Sequence, residues 1–163
     1  MKQRLIGRFR YLWTFELLNA VVILPGFVLL MRNNFEIGVF TVVATALVCF
    51  LLVVGAGFAF LKYRDLRRDT QELNRFEGGF RLLRRFVPVL LAAVIVFFGV
   101  QAPGLARAQI ADFVLGAIML LLAILEYINY FHTQLMYDNR RDLDYLLTKW
   151  KFKRGLMARE FGW

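Results

Sequence analysis

Two carboxylates and two carboxamides sit inside otherwise apolar stretches. Glu16 and Asn19 fall within "LWTFELLNAVVILPGFVLLM", and Glu126 and Asn129 within "IADFVLGAIMLLLAILEYINYFH", which ends on the single histidine, His132. Oxygen ligands of this kind suit a proton or a hard cation. They also suit hydrogen bonding between helices, worth about 0.6–2 kcal/mol in a membrane. A third chemistry is a pocket for an amphiphile or cofactor, lined by Tyr127, Tyr130, Phe131 and His132. The candidate ligand or ion residues are therefore Glu16, Asn19, Glu126, Asn129, Tyr130 and His132. No catalytic constellation accompanies them, and the residues specify no particular cofactor.

Other chemistries are poorly served. One histidine excludes an all-protein multi-His metal site, and neither CxxC nor HExxH spacing occurs, so no metal site is expected. Cys49 is the lone cysteine, so no intrachain disulfide forms. "GAG" at Gly55 to Gly57 lacks the strand and spacing of a nucleotide-binding loop.

The elements that position these groups follow from composition. Hydrophobic residues make up 60% of the 163, and mean hydropathy is +0.56. A soluble domain of this size has too much surface to hide so much apolar area. Four runs concentrate it: residues 12–31, 37–61, 87–104 and 110–132. A helix needs about 20 apolar residues to cross the hydrocarbon core. Runs one, two and four reach that length; run three is marginal. None alternates with period two, so helices rather than a barrel are expected. Run one has full span length and no small-x-small site after it, so it reads as a retained anchor.

Charge sets the expected orientation. The net charge is +9, and the cations come in blocks that abut the apolar runs, which suits anionic lipid better than nucleic acid. Of 21 Lys and Arg, all but Arg32 and Arg107 lie before residue 11, between 62 and 86, or after 139. That places both termini and the middle loop in the cytoplasm. Headgroup contacts are expected from Arg67, Arg68, Arg84, Arg85, Lys149, Lys151 and Lys153.

On that topology Glu16 and Glu126 each lie roughly 9 Å inside the cytoplasmic boundary. Helical spacing puts Glu16, Asn19, Ala20 and Ile23 on one side of span one. It puts Met119, Ala123, Glu126, Asn129 and Tyr130 on one side of span four, with His132 a turn further. An ionised acid in mid-span costs at least about 2.5–3.5 kcal/mol, so each must be protonated, paired or open to water.

Several local features complete the reading. Asp112 opens span four, where an acid suits its own helix N-terminus. Pro25–Gly26 and Pro103–Gly104 kink or end helices. Gly55 and Ala59 form a small-xxx-small pair for close packing. Tyr11 and Trp13 fit an interfacial belt. The spacing of Asp65, Arg68, Asp69, Glu72 and Arg75 predicts that span two continues as a helix until "EGG" at Glu77 to Gly79 stops it. Pro88 then fits the first turn of span three. Asp138 or Asn139 caps an amphipathic tail helix bearing Leu143, Leu146, Leu147 and Trp150, which docks on lipid, on a partner, or under the protein's own bundle.

The expected fold is thus an all-α integral membrane four-helix bundle with cytoplasmic termini, a helical extension and an amphipathic C-terminal helix. Residues 1–132 form the membrane domain and 133–163 the tail. The expected function is association, as a homo-oligomer or an accessory subunit, in a bacterial-type inner membrane. The alternatives are a small channel or transporter using Glu16 and Glu126, and an enzyme or binding protein for a lipid-soluble molecule.

Overall fold

The computed structural model describes residues 2–135, 147–148 and 152–163. The chain divides into two compact units, Met1–Ala123 and Ile124–Trp163. Among the described residues the regular structure is helical, with an isolated bridge between Thr133 and Arg154. Four helices among the described residues are long and apolar enough to cross a membrane. In hydrocarbon a spanning backbone must satisfy its own polar groups, which a helix does.

The first helix is one rod in three parts: α1 (Lys2–Leu18), a π-turn (Asn19–Ile23) and α2 (Leu24–Met31). Pro25 explains the interruption. It has no N–H, and its ring crowds the carbonyl four residues back. The helix widens just before it, and the Leu24 N–H reaches the Asn19 carbonyl five residues away. The residues expected to kink or end the helix are thus absorbed by a π-turn, and the basic segment from Lys2 to Arg10 is itself helical.

The central element of the first unit is α3 (Val39–Arg68), of which 56% of the apolar stretch is buried, against 6% for the first helix. Gly55 and Ala59 lie on its buried side, as their spacing predicts. α1 packs antiparallel along it, with Trp13 edge-on to Phe60 at 5.4 Å and Lys2 paired to Asp69. Trp13 is thus half-buried in the contact between the two helices.

α5 (Glu77–Gln101) also runs antiparallel to α3. Phe58 meets Phe80 at 5.7 Å near one end, and Phe40 meets Phe98 at 4.9 Å near the other. The two contacts lie eighteen residues apart on both helices, or about 27 Å of rise, close to the thickness of a hydrocarbon core. Phe113, on α6 (Ile110–Phe131), joins the second contact at 5.2 Å from Phe40 and 5.4 Å from Phe98.

The connection between α3 and α5 departs from expectation. α3 ends at Arg68, with Asp69 in the left-handed conformation at φ 53°. A four-residue helix, α4 (Glu72–Arg75), follows, and "EGG" begins α5 rather than ending a helix. Glu77 suits a helix N-terminus and pairs with Arg81 at 2.7 Å. The marginal third run is therefore lengthened by the residues before it, and Pro88 lies inside the helix rather than in its first turn.

In the second unit, the end of α6 receives the chain again from Gln134 onward. Gln134 N–H donates to the Lys153 carbonyl at 2.8 Å, and Gly155 N–H donates to the His132 carbonyl at 2.9 Å. A short helix, α7 (Leu156–Glu160), buries Met157 and Ala158, and Trp163 stacks on Phe131 at 6.4 Å. A Cβ on Gly155 would lie 2.7 Å from the Tyr130 carbonyl oxygen and 2.8 Å from that of Asn129, so only glycine passes. Asp138, Asn139, Leu143, Leu146, Lys149, Trp150 and Lys151 lie outside the described residues.

Candidate functional site

The candidates on the fourth helix come together around its end. Met119, Ala123 and Tyr130 are buried and Glu126 and Asn129 half-buried, the face that their spacing predicts. Glu126 shares its face of the helix with Asn129 and Tyr130, three and four residues on. Asn129 Oδ1 in turn accepts the Leu135 N–H at 2.9 Å. His132 is exposed, and its Nε2 lies 3.0 Å from the Tyr127 hydroxyl. Asn129 thus fixes the backbone where the chain leaves the helix, on the face that Glu126 and Tyr130 share.

On the first helix, Phe9 and Ala20 are buried and Trp13 and Glu16 half-buried along the face toward α3. Ile23, expected on that face, is 45% exposed, because the π-turn changes the register after Asn19. Asn19 does not reach toward another helix: its carboxamide N–H donates to the Phe15 carbonyl at 2.9 Å, one turn back. A short polar side chain bonding its own backbone satisfies a carbonyl beside an irregular turn.

Asp112 is the residue whose partner sequence reasoning missed. It is 4% exposed and stands in the first turn of its own helix, as expected, but its carboxylate also reaches a second helix. Oδ2 accepts the Phe40 N–H at 3.2 Å and Oδ1 the Thr41 N–H at 3.0 Å, while the Thr41 hydroxyl donates to the Asp112 carbonyl at 3.1 Å. An acid on α6 thus caps the first turn of α3, where free amides and the helix dipole both favour negative charge. Two glycines permit the approach. A Cβ on Gly38 would sit 2.6 Å from Asp112 Oδ2, and one on Gly116 would sit 2.7 Å from the Phe40 carbonyl carbon. A shallow cavity of about 290 Å³ borders the carboxylate, with Glu36 and Gln109 on its rim.

Asp65 repeats the device at the other end of α3. It accepts the Thr70 hydroxyl at 2.8 Å and the N–H groups of Glu72 at 2.7 Å and Leu73 at 2.9 Å. Arg64 pairs with Glu72 at 2.7 Å and lies 5.7 Å from the Phe60 ring centre. Of the expected headgroup residues, Arg67 donates to the Tyr63 hydroxyl at 2.8 Å, and Arg68 and Arg85 are exposed. Arg84 and Lys153 are half-buried.

Among the described residues no three His, Cys, Asp or Glu side chains converge as a metal site would require. The hydrogen bonds of Asp65, Asp112 and Asn129 run from donor to acceptor within the chain, at helix ends. No family model matches the chain, and no curated protein or solved structure is significantly similar to it.

Proposed function

We propose that this is a small polytopic membrane protein that works by association, as a homo-oligomer or an accessory subunit of a membrane complex. One observation carries the reading: the carboxamides of Asn19 and Asn129, beside the two carboxylates at membrane depth, bond the chain's own backbone. What remains to present is surface. Only 6% of the first helix's apolar stretch is fully buried, and Val21, Val22, Leu29 and Leu30 are all more than half exposed. In a bilayer such a face meets lipid or another helix.

The basic residues support an orientation with both termini and the middle loop on the cytoplasmic side of a bacterial-type inner membrane. Lys2 bonded to Asp69 supports grouping the first basic segment with the middle loop. Arg67, Arg68, Arg84, Arg85 and the tail lysines are proposed to meet anionic headgroups there.

Mass measurement in mild detergent tests the reading. The expected particle holds several copies of the 19.0 kDa chain, or one copy with a second polypeptide. A lone monomer recovered without any partner from cross-linked native membranes overturns it.

A further inference from the structure

We infer that two copies of this chain pair through the outward face of α5, helix against parallel helix, about a twofold axis along the membrane normal. The inference rests on the association reading above and deepens it, with all copies inserted in the one orientation that the basic residues support. Phe80, Val87, Leu91, Val94 and Phe98 are buried and turn one side of α5 to its own protein. On the opposite side Leu82, Phe86, Val89, Ala93, Val96 and Val100 are all exposed. Their spacing alternates four, three, four, three, four. That is the seam of a left-handed helix pair, and the chain's own fold leaves it uncovered.

The flanks of the seam select a second copy as its cover. One flank carries Gly78, Arg85, Ala92 and Gly99, all exposed and seven residues apart; the other carries Leu83, Leu90 and Phe97, all half-buried. In a parallel heptad pair, each residue of the first flank meets the residue five positions further on in the other copy. Gly78 then faces Leu83 of the second copy, and Ala92 faces Phe97 of the second copy. The small flank of each copy receives the bulky flank of the other, so the face is its own complement about a twofold axis. Arg85 meets Leu90 of the second copy rather than another arginine, so no like charges oppose across the seam.

The glycines have no use within the single chain. A Cβ on Gly78 or Gly99 would meet no atom within 4 Å, and glycine is the poorest helix former after proline. Small residues at a membrane helix surface let another backbone approach closely. The outward face of α6 makes the contrast: Val114, Ile118 and Leu121 are exposed at similar spacing, but all are branched, as suits a surface against lipid. From Gly78 to Val100 the α5 face is about 33 Å long, and with both flanks it spans about 160° of the helix. Each copy then covers about 500 Å² and the pair about 1,000 Å², the area that a specific interface needs.

The test is disulfide cross-linking in native membranes. Single cysteines are placed in a Cys49→Ser chain, and a covalent dimer is read on a denaturing gel after oxidation. Val89→Cys and Val96→Cys are expected to cross-link. Ile95→Cys, exposed but off the seam, and Leu121→Cys on α6 are expected not to. Gly99→Leu is the second arm. Its side chain enters open space in the single chain, so helicity is kept, while overpacking the seam weakens pairing roughly ten- to hundredfold. The readout is a shift from two copies to one by mass in mild detergent. No covalent dimer from Val89→Cys and Val96→Cys, equal cross-linking from Ile95→Cys, or parent-like pairing by Gly99→Leu overturns the proposal. In those cases a parent particle that still holds several copies, or a second polypeptide, leaves the association reading standing on another surface. A parent chain that is a lone monomer without any partner refutes the association reading itself, and the pairing with it.

Discussion

Replacing Asp112 by alanine strands the first turn of α3. The Phe40 and Thr41 amides lose acceptors at 3.2 and 3.0 Å, in a place where the aspartate is 4% exposed. Losing a helix cap costs about 0.5–2 kcal/mol, and removing an anion from a partly buried helix end costs up to about 2 kcal/mol. The two overlap, because both count the same amides. Each amide left dry adds about 1–3 kcal/mol, less where water enters from the adjoining cavity. The sum is about 3 kcal/mol, or a fall in Tm of about 6–12 °C for a chain of this length. Asp112→Asn retains one acceptor oxygen and is expected to lose about half as much. The assay is unfolding in mixed micelles followed by far-ultraviolet circular dichroism. Gly38→Ala supplies a coupled variant, because its Cβ would lie 2.6 Å from Asp112 Oδ2. The double variant Asp112→Ala/Gly38→Ala should be less destabilised than the sum of the two single changes. A Tm for Asp112→Ala within about 1 °C of the parent, or strict additivity with Gly38→Ala, refutes the capping argument.

Two further outcomes follow from the same physics. Asp65→Ala removes the acceptor for three donors and should cost about 2 kcal/mol, seen as faster hydrogen exchange at the Glu72 and Leu73 amides; unchanged exchange there would exclude the cap. Gly155→Ala drives a methyl group into the Tyr130 and Asn129 carbonyl oxygens, so the 152–163 segment should loosen and trypsin should cut faster after Arg159; an unaltered cleavage rate would show that the passage is not tight.

The sequence by itself determined the number and type of the long elements. Run length against membrane thickness is a local quantity, and so is the need of a backbone in hydrocarbon to bond itself. The spacing that placed Met119, Ala123, Glu126, Asn129 and Tyr130 on one face was also local, because a regular helix converts residue number into direction. Where the helix is irregular that conversion fails: Pro25 imposes a π-turn, and Ile23 turns outward instead of joining Glu16. The loop was misread for a related reason. Charge spacing from Asp65 to Arg75 suits a continuous helix, but the Asp65 carboxylate takes the amides of Glu72 and Leu73, and the chain turns at Asp69.

Tertiary structure alone decided which helix end each acid serves. Asp112 stands in the first turn of its own helix, as the sequence suggested, and its carboxylate also caps one that begins more than seventy residues earlier. Gly155 had no distinguishing neighbour in the sequence, yet it lies against the carbonyls of Asn129 and Tyr130. Hydrophobic pattern fixes which face is buried because burial is a property of each residue. Pairing belongs to two distant residues at once, and only the folded chain brings them within reach.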